Sequence, residues 1–267
     1  MLTENDIQRF LAVEFANVSI ECVAAELEFL SRGGAFTFVV TPNVDHVILL
    51  HERDSEIAEL FRQACAAASM RLCDSRVLKL LASSLGMTLE AVPGSDLTEH
   101  LFKRGYLNGR TVALIGGDSA MQEELILRYP AITIVQHIPP RGVLNNPDAV
   151  DEIVEFLANT HAEYTFFAIG APQSEIIAHK CQLDGRPGGV ALCIGASIEF
   201  LLGRKPRAPI WMQRLSLEWL FRLLSEPRRL ARRYLIVAPR IFPIVWRFKR
   251  SEDLPITRNR FGEVFDG

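Results

Sequence analysis

Short apolar runs that each end in a turn of small or polar residues, then give way to apolar residues at helical spacing, limit this chain to few folds. Residues 35–40 lead into Thr41-Pro42-Asn43 and a helical pattern over 44–68. Residues 70–73 turn at Asp74-Ser75-Arg76 into 77–85, which Gly86 stops. Residues 111–115 turn at Gly116-Gly117-Asp118-Ser119 into 120–128, and 132–135 read as a further strand. A helix is expected over 148–159, a strand over 164–169 entering Gly170-Ala171-Pro172, a helix over 175–181 and a last buried strand over 190–194. Parallel strands need crossovers that cover the sheet, so the expected fold is α/β and Rossmann-like, a mostly parallel sheet with helices on both faces.

The pattern changes after Gly203. From Gly203 to Arg250 there are 13 Lys/Arg against 2 acids, so the remainder carries about −14 of the formal charge of −3. The expected division is an α/β domain over residues 1–200 and a basic, helical, amphipathic appendage over 201–267. Residues 215–233 read as helical, with Arg222, Arg229, Arg232 and Arg233 interleaved with leucines. So many arginines beside three tryptophans would repel one another without an anionic partner, which points to an anionic membrane surface. No window holds the roughly twenty apolar residues a spanning helix needs. The polar first ten residues lack the pattern of a secretory signal, so the expected location is cytoplasmic and peripheral on the inner face of the membrane. Five widely spaced cysteines read as free buried thiols rather than a disulfide or zinc framework.

Ligands of a doubly wound sheet bind beyond the C-terminal strand ends, so the turns carry the candidate site. Gly116, Gly117 and Asp118 could hold a phosphate on backbone N–H groups, or form a tight turn with Asp118 as helix cap. Gly170, Pro172 and Glu175 stand at an equivalent turn, with Gln173 and Glu175 able to hydrogen-bond a sugar or base and Ser174 able to cap. Gly195 ends the last strand. Asp74 follows an apolar strand and could serve as general base toward a sugar hydroxyl, or cap the helix that follows. Thr41 and Asn43 could bind ligand or stabilise their turn. Gly94, Ser95 and Asp96 read as a turn with cap-like side chains. No D-x-D pair or His/Cys/Asp cluster suggests a metal, so no cofactor is expected and the arginines, Arg207 among them, are the reservoir for a departing diphosphate. The acidic main body argues against nucleic acid as a partner.

In order along the chain, Arg207-Ala208-Pro209, Leu217-Glu218-Trp219 with Arg222-Leu223, Glu226-Pro227 with Arg229, and Arg233-Tyr234 resemble the signature of the WecG/TagA/CpsF family of bacterial glycosyltransferases. Thr41-Pro42-Asn43, Asp74, Gly94-Ser95-Asp96-Leu97, Gly116-Gly117 and Gly170 with Pro172 fall in the family's order. The resemblance implies an inverting transferase with a UDP-sugar donor, often an N-acetylhexosamine or its uronic acid, and a polyprenyl-diphosphate-linked saccharide acceptor in surface polysaccharide biosynthesis. It implies Asp74 as catalytic base with Thr41 beside it, and Arg222, Arg229 and Arg232 at the diphosphate. Two departures stand out: Asp74-Ser75-Arg76-Val77 replaces the family's D-G-x-G, and Pro172-Gln173-Ser174-Glu175 shifts the family's P-x-Q-E glutamine by one. The alternative is a non-catalytic, membrane-associated nucleotide-sugar-binding protein, and self-association is left open.

Overall fold

The computed structural model describes residues 3–252. Among the described residues eight strands form: β1 (Ile7–Phe10), β2 (Val13–Ala16), β3 (Thr37–Val40), β4 (Met70–Arg71), β5 (Thr111–Gly116), β6 (Thr133–His137), β7 (Tyr164–Ala168) and β8 (Val190–Cys193). β3 to β8 make one six-stranded, wholly parallel sheet in the order β4-β3-β8-β7-β5-β6, which is the Rossmann-like α/β fold expected. Register aligns Val40 with Arg71 and Cys193, and Cys193 with Phe167, so the turns after four neighbouring strands open on one edge.

The strands read as unbroken apolar runs because both faces are covered. Val39, Leu114, Phe166 and Leu192 pack on one face with Leu27, Leu97 and Leu101. Their chain neighbours Val40, Ile115, Phe167 and Cys193 point the other way, against Phe61, Ile153 and Ile177. Each large side chain so buried contributes roughly 1.5–3 kcal/mol before the entropy of ordering the chain is charged against it.

Three expectations need correction. Gly94 to Leu97 are not a separate turn but the first turn of a helix, Gly94–Lys103, that packs on one face of the sheet. The expected helix over 215–233 is two, Glu218–Ser225 and Pro227–Arg232, because Pro227 forces the preceding Glu226 out of the helical region to φ −134°, ψ 60°. Four cysteines are buried and all five are free, but Cys22 is exposed.

The arginines after Gly203 also find partners that charge counting alone did not provide. Arg204 pairs with Asp118 and Glu124, Arg207 with Asp96 and Glu99, Arg233 with Asp45, and Arg240 with Glu52 at 3.1 Å. The basic segment is thus clamped across the strand-end edge by acids of the preceding chain, and their mutual repulsion does not by itself require an external anion. Its last helix, Ile241–Glu252, buries Ile241 and Ile244 against Phe10, Phe15, Val47 and Leu78. Phe248 meets Phe10 edge-on at 5.5 Å between ring centroids. Residues 253–267 of the expected appendage lie outside the described residues.

Candidate active site

Two cavities lie where the C-terminal segment covers the strand ends. One, of about 680 Å³, is bounded by the turns after β3, β7 and β8 and by Arg222, Arg229 and Arg233. The other, of about 410 Å³, lies between the helix Arg76–Ser84 and the C-terminal segment, where Trp219, Tyr234, Pro239, Ile241 and Phe242 give it an apolar wall. Asp74, Asn43, Asp45, Ser95, Arg222 and Arg233 line both, so they form the partition between them.

Asp74 is fixed by its own backbone and not by a capping role. Its N–H donates to the carbonyl of Pro42 at 3.0 Å, and the carbonyl before it, on Cys73, accepts from Val92 at 3.0 Å. The cap of the next helix is Ser75, whose hydroxyl accepts from the N–H of Leu78 at 3.2 Å. The Asp74 carboxyl is left to the cavities. Burial pushes it up to about 7, with Arg222 pulling down, Glu218 and Asp96 pushing up, and the Gly94 amide pulling down. A carboxyl poised there changes its protonation near neutrality, as a general base must.

Around it, Thr41 donates its hydroxyl to the carbonyl of Cys193 at 3.0 Å, tying the ends of β3 and β8. Asn43 caps the helix Val44–Leu50, accepting from the N–H of Asp45 at 3.0 Å and of His46 at 3.4 Å, while its own N–H donates to His46 Nδ1 at 3.1 Å. Burial, aided by the Arg233 charge, lowers His46 to about 4, so it is neutral. Arg222 pairs with Glu218 at 2.6 Å and stands 5.1 Å from the ring centroid of Phe200. Arg229 pairs with Glu226.

Of the residues singled out in the sequence, Thr41, Asn43, Asp74, Ser95, Gly170, Pro172, Glu175, Gly195, Arg222 and Arg229 line one cavity or both. Gly94, Asp96, Gly116, Gly117, Asp118, Arg207 and Arg232 line neither. Asp118 caps the helix Ser119–Arg128 through the N–H of Met121 at 2.7 Å and pairs with Arg204. The glycines before it serve packing: a Cβ on Gly116, at φ 102°, would come within 2.7 Å of Ile169, and one on Gly117, at φ 77°, within 2.6 Å of Met121 Sδ. Gly94 sits against Thr41 and Ser197. Arg207 holds Ser95 and Asp96, and Arg232 is exposed in its helix. Gln173 donates to the carbonyl of Ile169 at 3.3 Å, and Ser174 donates to that of Gly170 at 3.1 Å without capping the helix.

The structure adds residues that the turns alone did not reveal. Asp45 and Arg233 form an ion pair in the partition, and Glu199 and Lys205 pair at 2.6 Å on the wall of the larger cavity. Glu218 and Trp219, which the sequence shows only as parts of a motif, line the smaller cavity beside Arg222, which the resemblance already placed at the diphosphate. The signal is helical: Glu218 and Trp219 stand four and three residues before Arg222, so each neighbours it on the helix surface. Among the described residues no three His, Cys, Asp or Glu side chains gather into a set that could hold a metal ion.

Cavities outside the C-terminal ends of a parallel sheet, with a carboxyl between them and guanidinium groups on their walls, stand where α/β proteins of this class bind their ligands. The chain matches the glycosyl transferase WecG/TagA/CpsF family over residues 8–254 and belongs to that family. It is a glycosyltransferase. It is 26% identical, over 231 residues, to the N-acetylglucosaminyldiphosphoundecaprenol N-acetyl-beta-D-mannosaminyltransferase of Staphylococcus aureus strain MRSA252, covering 83% of this chain and 86% of that protein. The proteins of the same name from strains MW2 and NCTC 8325 / PS 47 match to the same extent.

Proposed function

We propose that the enzyme transfers an N-acetylhexosamine, N-acetylmannosamine foremost, from a UDP-sugar to a polyprenyl-diphosphate-linked saccharide, inverting the anomeric centre. The observation that carries this reading is the position of Asp74 in the partition between a polar and an apolar cavity. The polar cavity takes the donor, with Arg222, Arg229 and Arg233 facing its diphosphate. The apolar one takes the acceptor saccharide and the start of its lipid. Asp74 removes the proton from the acceptor hydroxyl as that oxygen bonds to the anomeric carbon. The bond to the diphosphate breaks on the opposite face, and its electron pair leaves with UDP. The sugar itself is suggested by the staphylococcal relatives, whose name specifies an N-acetylmannosaminyl group.

Residues 201–267 act in this reading as an appendage that holds the acceptor and rests on an anionic bilayer at the inner membrane face. Trp211, Leu215, Leu235, Ile236, Phe242 and Trp246 are exposed there, beside Arg247, Lys249 and Arg250. No helix among the described residues is long and apolar enough to cross a membrane. The test is UDP release from a panel of UDP-sugars, with and without lipid-linked acceptor in anionic liposomes and with chelator present. Acceptor-dependent release from an N-acetylhexosamine donor, chelator notwithstanding, is expected. Donor binding without release from any member of the panel would favour the non-catalytic binder instead.

A further inference from the structure

Glu175 is a feature that the proton transfer at Asp74 does not use. It stands in the first turn of the helix Gln173–Asp184, is 3% exposed, lines the larger cavity, and its Oε2 has no hydrogen-bond partner. An unpartnered oxygen at such depth is costly unless a ligand completes it. Cys65, from the helix Glu56–Ala67, and Cys193, from β8, stand near enough to feel its charge, and both are thiols that burial pushes up and so holds neutral. Arg62 on that helix pairs with Glu59, and the helix that carries Glu175 also carries His179 and Lys180. Lys205, Arg222, Arg229 and Arg233 wall the same cavity with carboxylate partners of their own, Glu199, Glu218, Glu226 and Asp45. Burial is the cause that raises Glu175 to about 7, and the opposing pull comes from its own main-chain N–H. A diphosphate bound in this cavity adds negative charge nearby, which disfavours the carboxylate further. We propose that Glu175 takes up a proton when the nucleotide-sugar enters and then donates its O–H to an acceptor oxygen of that ligand. The inference rests on the donor occupying the larger cavity, and it makes Glu175 a reader of neutral oxygen atoms rather than of hydroxyl hydrogens.

Proton uptake gives a readout that a purely structural role would not move. Calorimetric titration of the whole protein with a UDP-N-acetylhexosamine at about pH 8, in two buffers of different ionisation enthalpy, counts the protons bound with the ligand. Asp74→Asn serves as background, so that the second poised carboxyl does not contribute. In that background, uptake of most of one proton is expected, and adding Glu175→Gln should abolish it while leaving binding as tight or up to about tenfold tighter, because the amide donates without first taking up a proton. Glu175→Ala should bind about tenfold more weakly than Glu175→Gln. A loss shared by UDP puts the acceptor oxygen on the nucleotide, and a loss confined to the sugar nucleotide puts it on the sugar; both support the inference. Unchanged proton uptake in Glu175→Gln, or alanine binding as tightly as glutamine, would overturn it. Failure of the unmodified protein to bind any sugar nucleotide would overturn the donor reading and the inference together.

Discussion

The N–H of Asp74 donates to the carbonyl of Pro42 at 3.0 Å, so the turn after β4 is fastened to the turn after β3. This bond sets Asp74 with Asn43 in the partition between the two cavities, the larger of which Thr41 also lines. The carboxyl's position therefore follows from the sheet, and not from the loop that carries it. A side chain held by two strand ends is suited to the fixed geometry that proton transfer needs.

Replacing Glu175 by Gln should make stability less dependent on pH. Burial raises its folded-state value from the usual 4.5 to about 7, so the folded state holds the proton more tightly than the unfolded state. Stability due to this group is present below about 4.5, falls as pH rises to about 7, and stays low above it. The difference amounts to at most about 3 kcal/mol. Glu175→Gln should therefore melt several degrees above the unmodified protein at about pH 8 and level with it at about pH 4, which thermal denaturation at both values checks.

Gly116→Ala should cost stability rather than merely activity. Its φ of 102° and the 2.7 Å approach of a Cβ to Ile169 combine backbone strain with overpacking, together about 2–5 kcal/mol. Urea denaturation should show a lowered midpoint. A midpoint unchanged with activity lost would instead favour the phosphate-binding role that the sequence leaves open for this turn.

Arg207→Ala should loosen the C-terminal segment. Arg207 holds Ser95, Asp96 and Glu99, all in the first turns of the helix Gly94–Lys103, while Gly94 and Ser95 of that same turn stand beside the Asp74 carboxyl and the cavities. Proteolytic cleavage after residue 203 should accelerate, and the KM for lipid-linked acceptor should rise several-fold while donor affinity changes little. Glu99→Gln, which removes one of the partners, should give a smaller effect in the same direction.

The sheet was legible because its strands are buried on both faces and so are written as apolar runs with turns at their ends; β5, β7 and β8 differ from expectation by one residue at one end, β3 starts and β4 ends two residues inside the expected run, and β6 is displaced at both ends. The hairpin β1–β2 was not. Its two-residue loop, Leu11-Ala12, takes φ of 50° and 64° without the glycine or asparagine that normally marks such a turn, and Leu11 is buried instead of exposed. The helix Ile20–Ser31 was passed over with it, although Ser19 caps it through Cys22. In the site, turn residues could be found because chain order puts them at strand ends. The pairing of Asp45 with Arg233 could not, because it depends on how the C-terminal segment crosses the sheet edge, and that of Glu199 with Lys205 could not, because no turn motif marks them. The same crossing supplies the acids that the charge count had assigned to the rest of the chain without saying where they would meet the arginines.

The most direct test of the account is the pH dependence of turnover on lipid-linked acceptor for the unmodified enzyme and for Asp74→Asn. Burial sets the Asp74 carboxyl at about 7, so a base acting there is lost as pH falls through that value. Turnover by the unmodified enzyme should rise with pH and level off above about 7. Asp74→Asn should fold normally, bind donor, and turn over roughly 10²–10⁴-fold more slowly with that rise gone. Near-normal turnover in Asp74→Asn, with the same rise preserved, would contradict the assignment of Asp74 as the base between the two cavities.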